Sequence, residues 1–161
     1  MTNNQENKKY KRIIETTSQH PRLNYSAPAL EELFHYLDTL DHYTLPEGDI
    51  SIVFLSDSAL AKLHDDFMQD PSPTDVITFP GDKCMHFAGE ICVSVDRAER
   101  VASDHGSTFA QELTLYLVHG WLHLCGYNDI NNEDRLKMRD AERDVLKHIS
   151  NIPTFSLKDE A

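Results

Sequence analysis

Apolar residues along this chain occur in two patterns that alternate with each other. Short runs rich in β-branched residues predict four strands, at residues 13–17, 49–55, 74–79 and 89–95. The fourth run is apolar at nearly every position, which is typical of a strand buried on both faces. Pro80 and Gly81 are expected to end the third strand.

Helical spacing of apolar residues fills the segments between and after these runs. Thr108 and Gln111 form a capping box ahead of one helix, which should end before Gly126, a residue suited to a left-handed stop. Shorter helices are predicted earlier in the chain, one of them from residue 96 to 101, and a last helix spans 132–149. The expected fold class is therefore α+β, with a single mixed four-stranded sheet packed with helices.

The length of 161 residues suits one domain, and a chain with 40% apolar and 26% charged residues is typical of globular proteins. We expect this domain to occupy residues 13–153. Residues 1–12 are predicted to form a flexible basic tail, and residues 154–161 a loose tail that follows the stop signal Pro153.

Several sequence features bear on the compartment of the protein. No apolar run approaches the roughly 20 residues that a membrane span needs, and the first twelve residues contain no secretory h-region. Cys84, Cys92 and Cys125 are odd in number and have no C-x-x-C spacing, so a disulfide framework is not indicated. We expect a cytoplasmic protein.

Acidic residues outnumber basic ones by 27 to 15, which gives a formal net charge of −12. A chain this acidic is repelled by phosphate backbones unless its cations gather locally. The charge therefore argues against non-specific binding of nucleic acid, while a small shaped site stays compatible with it. Neither DNA nor a membrane is expected as a partner.

Candidate chemistry is concentrated between residues 117 and 129. His119 and His123 are spaced i and i+4, so on a helix both imidazoles project from one face, where they can bind one zinc ion. Gly126 lets the chain turn back, which brings Asp129 within reach as a third ligand. Two histidines, one carboxylate and an open fourth position form a catalytic zinc pattern. Two ordinary, partly buried histidines and a loop-capping aspartate would fit the same spacing.

The residue that follows His119 bears on the reaction class. The metalloprotease motif H-E-x-x-H places a glutamate there as the general base, whereas this chain has Gly120. The sequence therefore argues against a peptidase and leaves the general base unknown.

Three segments together resemble a known family, the bacterial YbeY rRNA maturation factors and endoribonucleases. Residues 119–129, HGWLHLCGYND, are similar to the signature H-G-x-L-H-L-x-G-Y-D-H at every fixed position except the last two. Residues 73–80, PTDVITFP, resemble the element P-T-D-V-L-S-F-P, and residues 89–91, GEI, resemble G-[DE]-I before an apolar strand. The resemblance extends from about residue 49 to residue 149.

The resemblance implies a metalloprotease-like (zincin-like) α+β sandwich that binds one zinc ion per chain through His119 and His123. Asp129 occupies the position of the family's third histidine, and a carboxylate can replace imidazole on zinc. The implied activity is zinc-dependent, single-strand-specific cleavage of RNA in 16S rRNA 3′-end maturation and ribosome quality control. The implied partners are the rRNA precursor, ribosomal proteins and assembly GTPases.

The resemblance also indicates residues for substrate binding. Thr74 and Asp75 are expected to line the cleft. Met68 stands where the family commonly has an arginine, so that a phosphate clamp depends on Lys83 or Arg97 instead. The Asp129 and Met68 departures, with the acidic charge, leave an alternative open: a non-catalytic, zinc-stabilised assembly factor that binds rRNA or a ribosomal protein.

Overall fold

The computed structural model describes residues 11–70, 72 and 74–159, and within them the chain alternates strands and helices. The strands are β1 (Ile14–Ser18), β2 (Leu23–Tyr25), β3 (Asp49–Leu55), β4 (Val76–Asp82), β5 (Phe87–Ser94) and β6 (Phe155–Leu157). The helices are α1 (Ala27–Leu37), α2 (Asp57–Met68), α3 (Val95–His105), α4 (Phe109–Leu124) and α5 (Asn132–His148). No helix in this described part is long and apolar enough to cross a membrane.

Four of the strands form one mixed sheet in the order β1-β3-β5-β4. The pairs β1–β3 and β3–β5 are parallel, and β4 runs antiparallel to β5. The central strand β5 is almost wholly buried, because apolar clusters cover the sheet on both faces. The prediction of an α+β fold with a mixed four-stranded sheet is confirmed.

Helix α4 packs closely on the sheet and carries the segment in which the candidate chemistry lies. It begins at the Thr108–Gln111 capping box that the sequence predicts. Gly120 faces the sheet so tightly that an added Cβ would lie 2.6 Å from Cγ2 of Ile91. One face of α4 is thereby fixed against the sheet, which leaves another face for the histidines.

Strand β4 is longer than the sequence predicts, because it continues through Pro80 and Gly81 to Asp82. It lies at the edge of the sheet, where a proline without an N–H leaves no sheet hydrogen bond unmade. At Gly81 an added Cβ would lie 1.9 Å from the backbone oxygen of Phe87, so glycine permits the close approach of β4 and β5. The expected stop at Pro80 was therefore wrong.

The C-terminal segment is also more ordered than predicted. Residues 155–157 form β6 and pair antiparallel with β2, so the expectation of a loose tail from residue 154 is wrong there. Phe155 is buried, and its ring lies 5.8 Å from that of Phe54. A strand of three residues is too short to produce a recognisable period in the sequence.

Residues 1–10 of the predicted N-terminal tail lie outside the described residues. At its end the prediction of flexibility is wrong, because Arg12 is held by several partners. Its guanidinium donates to Asp38 at 2.7 Å and to the backbone oxygens of Pro46 and Gly48 at 3.0 and 2.5 Å.

Candidate metal centre

His119 and His123 project together from the C-terminal half of α4, and Asp129 lies in the loop that follows. The chain reverses at Gly126, which has a φ of 101° that favours glycine. This turn brings the Asp129 carboxylate to the two imidazoles. We call these three residues the His-His-Asp triad.

The donor atoms of the triad have the spacing of a metal site. The two Nε2 atoms are 3.0 Å apart, and each lies 3.3 Å from Oδ2 of Asp129. Ligand bonds of about 2.0–2.1 Å in a tetrahedral zinc site place neighbouring donor atoms about 3.3–3.4 Å apart. The triad therefore fits a single small cation and forms a group that could hold a metal ion.

The hydrogen bonds of the other ring nitrogens support this interpretation. Nδ1 of His123 lies 3.0 Å from the backbone oxygen of Tyr127, which can only accept, so this nitrogen carries the proton. Nδ1 of His119 lies 2.5 Å from Oε1 of Glu142, and it donates to that carboxylate. In the neutral rings both Nε2 atoms then present lone pairs, and these point at each other and at a carboxylate oxygen. A bound cation would offset the repulsion among these three electron-rich atoms.

Glu142 connects α5 to the triad and sets the electrostatics of His119. Burial lowers the pKa of His119, but the hydrogen bond and charge of Glu142, together with the charges of Asp75 and Asp129, outweigh it and raise that pKa above its ordinary value. The same negative charges favour a bound cation. A carboxylate behind a ligating histidine fixes the orientation and tautomer of the ring.

A cleft of about 470 Å³ opens beside the triad. Its lining comes from α3, α4 and α5, from the loop after α4 and from the segment before β4, and includes His119, Asp129, Asp75 and Arg97. Two of the four predicted substrate-binding residues, Asp75 and Arg97, thus share a cleft with the triad.

The other two predicted substrate-binding residues lie elsewhere. Thr74 is half-buried but is not part of the cleft lining. Lys83 is exposed in the short 3₁₀ turn between β4 and β5 and does not line the cleft. Met68, at the position where the family commonly has an arginine, is 62% exposed at the end of α2 and also lies outside the lining.

Glu112 lines the same cleft, two turns before His119 on α4. It is 5% exposed and accepts a hydrogen bond from Oγ of Ser107 at 2.9 Å, while Nδ1 of His105 lies 3.4 Å away. These contacts hold the connection between α3 and α4 against the cleft.

Gly120 and Cys125, two other residues of the motif, are excluded from a direct chemical role. Gly120 faces the sheet, where the glutamate of a metalloprotease could neither fit nor reach the triad. Cys125 does not belong to the group of ligand atoms that converge at the triad, and burial raises the pKa of its thiol to about 12.

Sequence reasoning missed Glu142. It stands 23 residues from His119, and the contact forms only when α5 packs against α4. One signal was present: Glu142 is an acid adjacent to Ala141 in the buried stripe that also includes Met138 and Val145. An acid at the margin of a buried helix face needs a partner, although the sequence does not identify it.

An α+β fold in which two imidazoles and one carboxylate converge beside a cleft has the ligand set of the open metal sites that hydrolytic metalloproteins use. The family model described as Endoribonuclease YbeY matches residues 3–150. The chain belongs to this family.

Individual relatives agree with the family assignment. Endoribonuclease YbeY of Protochlamydia amoebophila is 33% identical over 147 residues, which cover 89% of this chain and 97% of that protein. Endoribonuclease YbeY of Chlamydia pneumoniae is 40% identical over 118 residues, which cover 68% and 75%. The solution structure of TM1509 from Thermotoga maritima has a TM-score of 0.58 at 24% identity and covers 84% of this chain and 87% of that one, so it supports the fold alone.

Proposed function

We propose that this protein is a zinc-dependent endoribonuclease specific for single-stranded RNA, which acts in 16S rRNA 3′-end maturation and ribosome quality control. It binds one zinc ion per chain through His119, His123 and Asp129. The observation that carries this proposal is the convergence of three lone-pair donor atoms, 3.0–3.3 Å apart, beside a cleft that His119 and Asp129 line. Family membership supplies the substrate class.

Different residues of the chain have different roles in the proposed reaction. A bound zinc would polarise the scissile phosphate and lower the pKa of a water molecule. Glu142 and the Tyr127 carbonyl hold the imidazole rings in the ligating tautomer. Arg97 donates to a phosphate oxygen of the strand, and Asp75 lies in the cleft on the substrate side. The general base is not assigned.

Asp129 distinguishes this site from the three-histidine form. Its carboxylate adds one negative charge to the ligand set, which reduces the Lewis acidity of the metal and raises the pKa of its bound water. We expect binding of the metal to be retained and the hydrolytic step to be slower than with a third imidazole.

We propose the cytoplasm as the place of action, with rRNA precursors, ribosomal proteins and assembly GTPases as partners. The free state of Cys84, Cys92 and Cys125 is consistent with a reducing compartment. The family resemblance supports the assignment of these partners.

One observation favours a second candidate, a zinc-stabilised assembly factor that binds rRNA or a ribosomal protein without cutting it. Met68 provides no cation where the family commonly has an arginine, and it lies outside the cleft. Under this alternative the triad stabilises the junction of α4 with the following loop.

Cleavage of a single-stranded RNA that contains a 16S rRNA precursor 3′ end tests the proposal. Wild type and His119→Ala are prepared identically, so that contaminating nuclease appears in both. We expect cleavage by wild type, loss with a chelator, recovery on adding zinc, and no cleavage by the variant. Equal cleavage by both proteins, or none by either, would overturn the enzyme assignment, and tight binding without cleavage would favour the assembly factor.

A further inference from the structure

Two arginines of α5, Arg135 and Arg139, line the same cleft as Arg97 of α3. We propose that they form a binding subsite for the phosphodiester backbone of a single-stranded RNA, and that this subsite replaces the cation absent at Met68. The inference rests on the proposed RNA substrate. We call these two residues the α5 arginine pair.

The position of the pair on α5 directs it toward the reacting centre. The two arginines are spaced i and i+4, so they share a helix face and lie about 6 Å apart along the axis. Glu142 follows Arg139 by three residues on that face, and its carboxylate holds His119. A strand that lies along the pair therefore runs toward the His-His-Asp triad.

The pair has positive charge that the protein leaves uncompensated. Three other cations of α5 are in ion pairs: Lys137 with Glu133 at 3.4 Å, Arg143 with Asp140 at 2.5 Å and Lys147 with Asp144 at 3.1 Å. Among the described residues, by contrast, Arg139 has no hydrogen-bond or ion-pair partner. Arg135 donates only to the neutral Asn132 side chain, at 2.6 Å.

The carboxylates of the cleft do not neutralise the pair. Glu142 is bonded to His119, Glu112 accepts from Ser107, Asp129 belongs to the triad, and Asp75 accepts from the backbone N–H of Val76. None of them lies within ion-pair distance of either arginine in the described part of the chain. The pair is therefore a local cation on a protein whose net charge is −12.

Guanidinium groups match the geometry of phosphate, because their planar N–H groups can donate in pairs to two oxygens. Arg97 of α3 also lines the cleft; its buried Nε makes no hydrogen bond to a described residue and lies 3.8 Å from Oδ1 of Asp57. Cations from α3 and α5 can together hold one extended strand. The cleft volume of about 470 Å³ is that of a small-ligand pocket, which suits a short stretch of a single strand.

The test measures binding of a fluorescein-labelled, single-stranded 2′-O-methyl oligonucleotide by anisotropy over a series of salt concentrations. The proteins are zinc-loaded wild type, Arg135→Gln, Arg139→Gln and the double variant. Arg143→Gln is the matched control, because Arg143 is 72% exposed on the same helix and does not line the cleft. Zinc content and Tm are recorded for each protein, and the probe is checked for integrity on a gel.

We expect each cleft variant to weaken binding by about tenfold, since a hydrogen bond to a charged group is lost. The association constant falls with rising salt, and the magnitude of the slope of its logarithm against the logarithm of the salt concentration should decrease by about 0.7 for each arginine removed. In steady-state cleavage the variants should raise KM and leave kcat nearly unchanged. Arg143→Gln should resemble wild type in all three quantities.

Equal affinity and equal salt slope for wild type and the double variant would overturn the inference, as would the absence of probe binding by wild type. Equal losses in Arg143→Gln would also overturn it, because the effect would then be one of net charge. If wild type binds the probe through the pair and cuts no RNA, the proposed nuclease fails while the subsite stands.

Discussion

Replacement of Glu142 tests whether α5 supports the candidate metal centre from behind. Glu142→Gln keeps the shape and an accepting oxygen but removes the charge, and Glu142→Ala removes both. The contact is short, at 2.5 Å, and the Glu142 side chain is only 16% exposed, so solvent does little to replace it. We expect both variants to lower zinc affinity, and Glu142→Ala to lower it more.

The magnitude follows from the contact itself. Removing a carboxylate that orients a ligating histidine costs about 10–100-fold in metal affinity, which corresponds to about 1.4–2.7 kcal/mol. Glu142→Gln should fall near the lower limit, because its amide oxygen can still accept from Nδ1 of His119. Glu142→Ala should approach the upper limit.

Competition with a chromophoric zinc chelator at pH 8 measures these affinities. Glu142 raises the pKa of His119, so protons compete with zinc more strongly in wild type as the pH falls. The ratio of wild-type to Glu142→Ala affinity should therefore shrink toward acid pH. Glu133→Gln is the matched control, because Glu133 is 80% exposed on the same helix and pairs only with Lys137.

Zinc affinities of both Glu142 variants equal to wild type, with the fold intact by circular dichroism, would refute the reasoning. The hydrogen bond to His119 would then have no part in ligand geometry. A loss of the same size in Glu133→Gln would point to a general electrostatic effect of α5.

Three further predictions concern residues around the site. Burial raises the pKa of Cys92 and Cys125 to about 12, so only the exposed Cys84 should react quickly with a thiol reagent at pH 8, and fast reaction of a second thiol in native protein would contradict this. In Gly120→Ala the new Cβ would lie 2.6 Å from a methyl group of the buried Ile91. The resulting overpacking costs about 1–3 kcal/mol, which should exceed the roughly 1 kcal/mol that alanine gains in helix propensity. The Tm should therefore fall, and a higher Tm would show that α4 can shift to make room. In Asp129→His, a neutral ligand replaces a charged one, so the rising limb of the cleavage pH profile should shift to lower pH, and an unchanged or upward-shifted limb would contradict this effect.

The sequence predicts the main sheet and α4 because their signals are local. Strand β3 is rich in β-branched and aromatic residues, and α4 has both a capping box and a glycine stop. The triad is also accessible from sequence, since helical spacing aligns His119 with His123 and Gly126 reverses the chain. These features need no knowledge of distant contacts.

The features that sequence reasoning missed depend on distant partners. Strands β2 and β6 contain three residues each, are separated by more than a hundred residues, and stabilise each other by pairing. Arg12 is fixed by acceptors more than twenty residues away. Glu142 and the α5 arginine pair reach the cleft and the triad only because α5 packs beside α4. Local periodicity contains no information about which surfaces meet.

Metal content per chain, measured by plasma mass spectrometry on untagged protein, tests the central claim most directly. Wild type and Asp129→Ala are measured side by side after identical purification. The convergence of His119, His123 and Asp129 predicts about one zinc per wild-type chain and a clearly reduced content in the variant. Wild-type protein without bound metal, or a variant with the full wild-type content, would contradict the proposed zinc site.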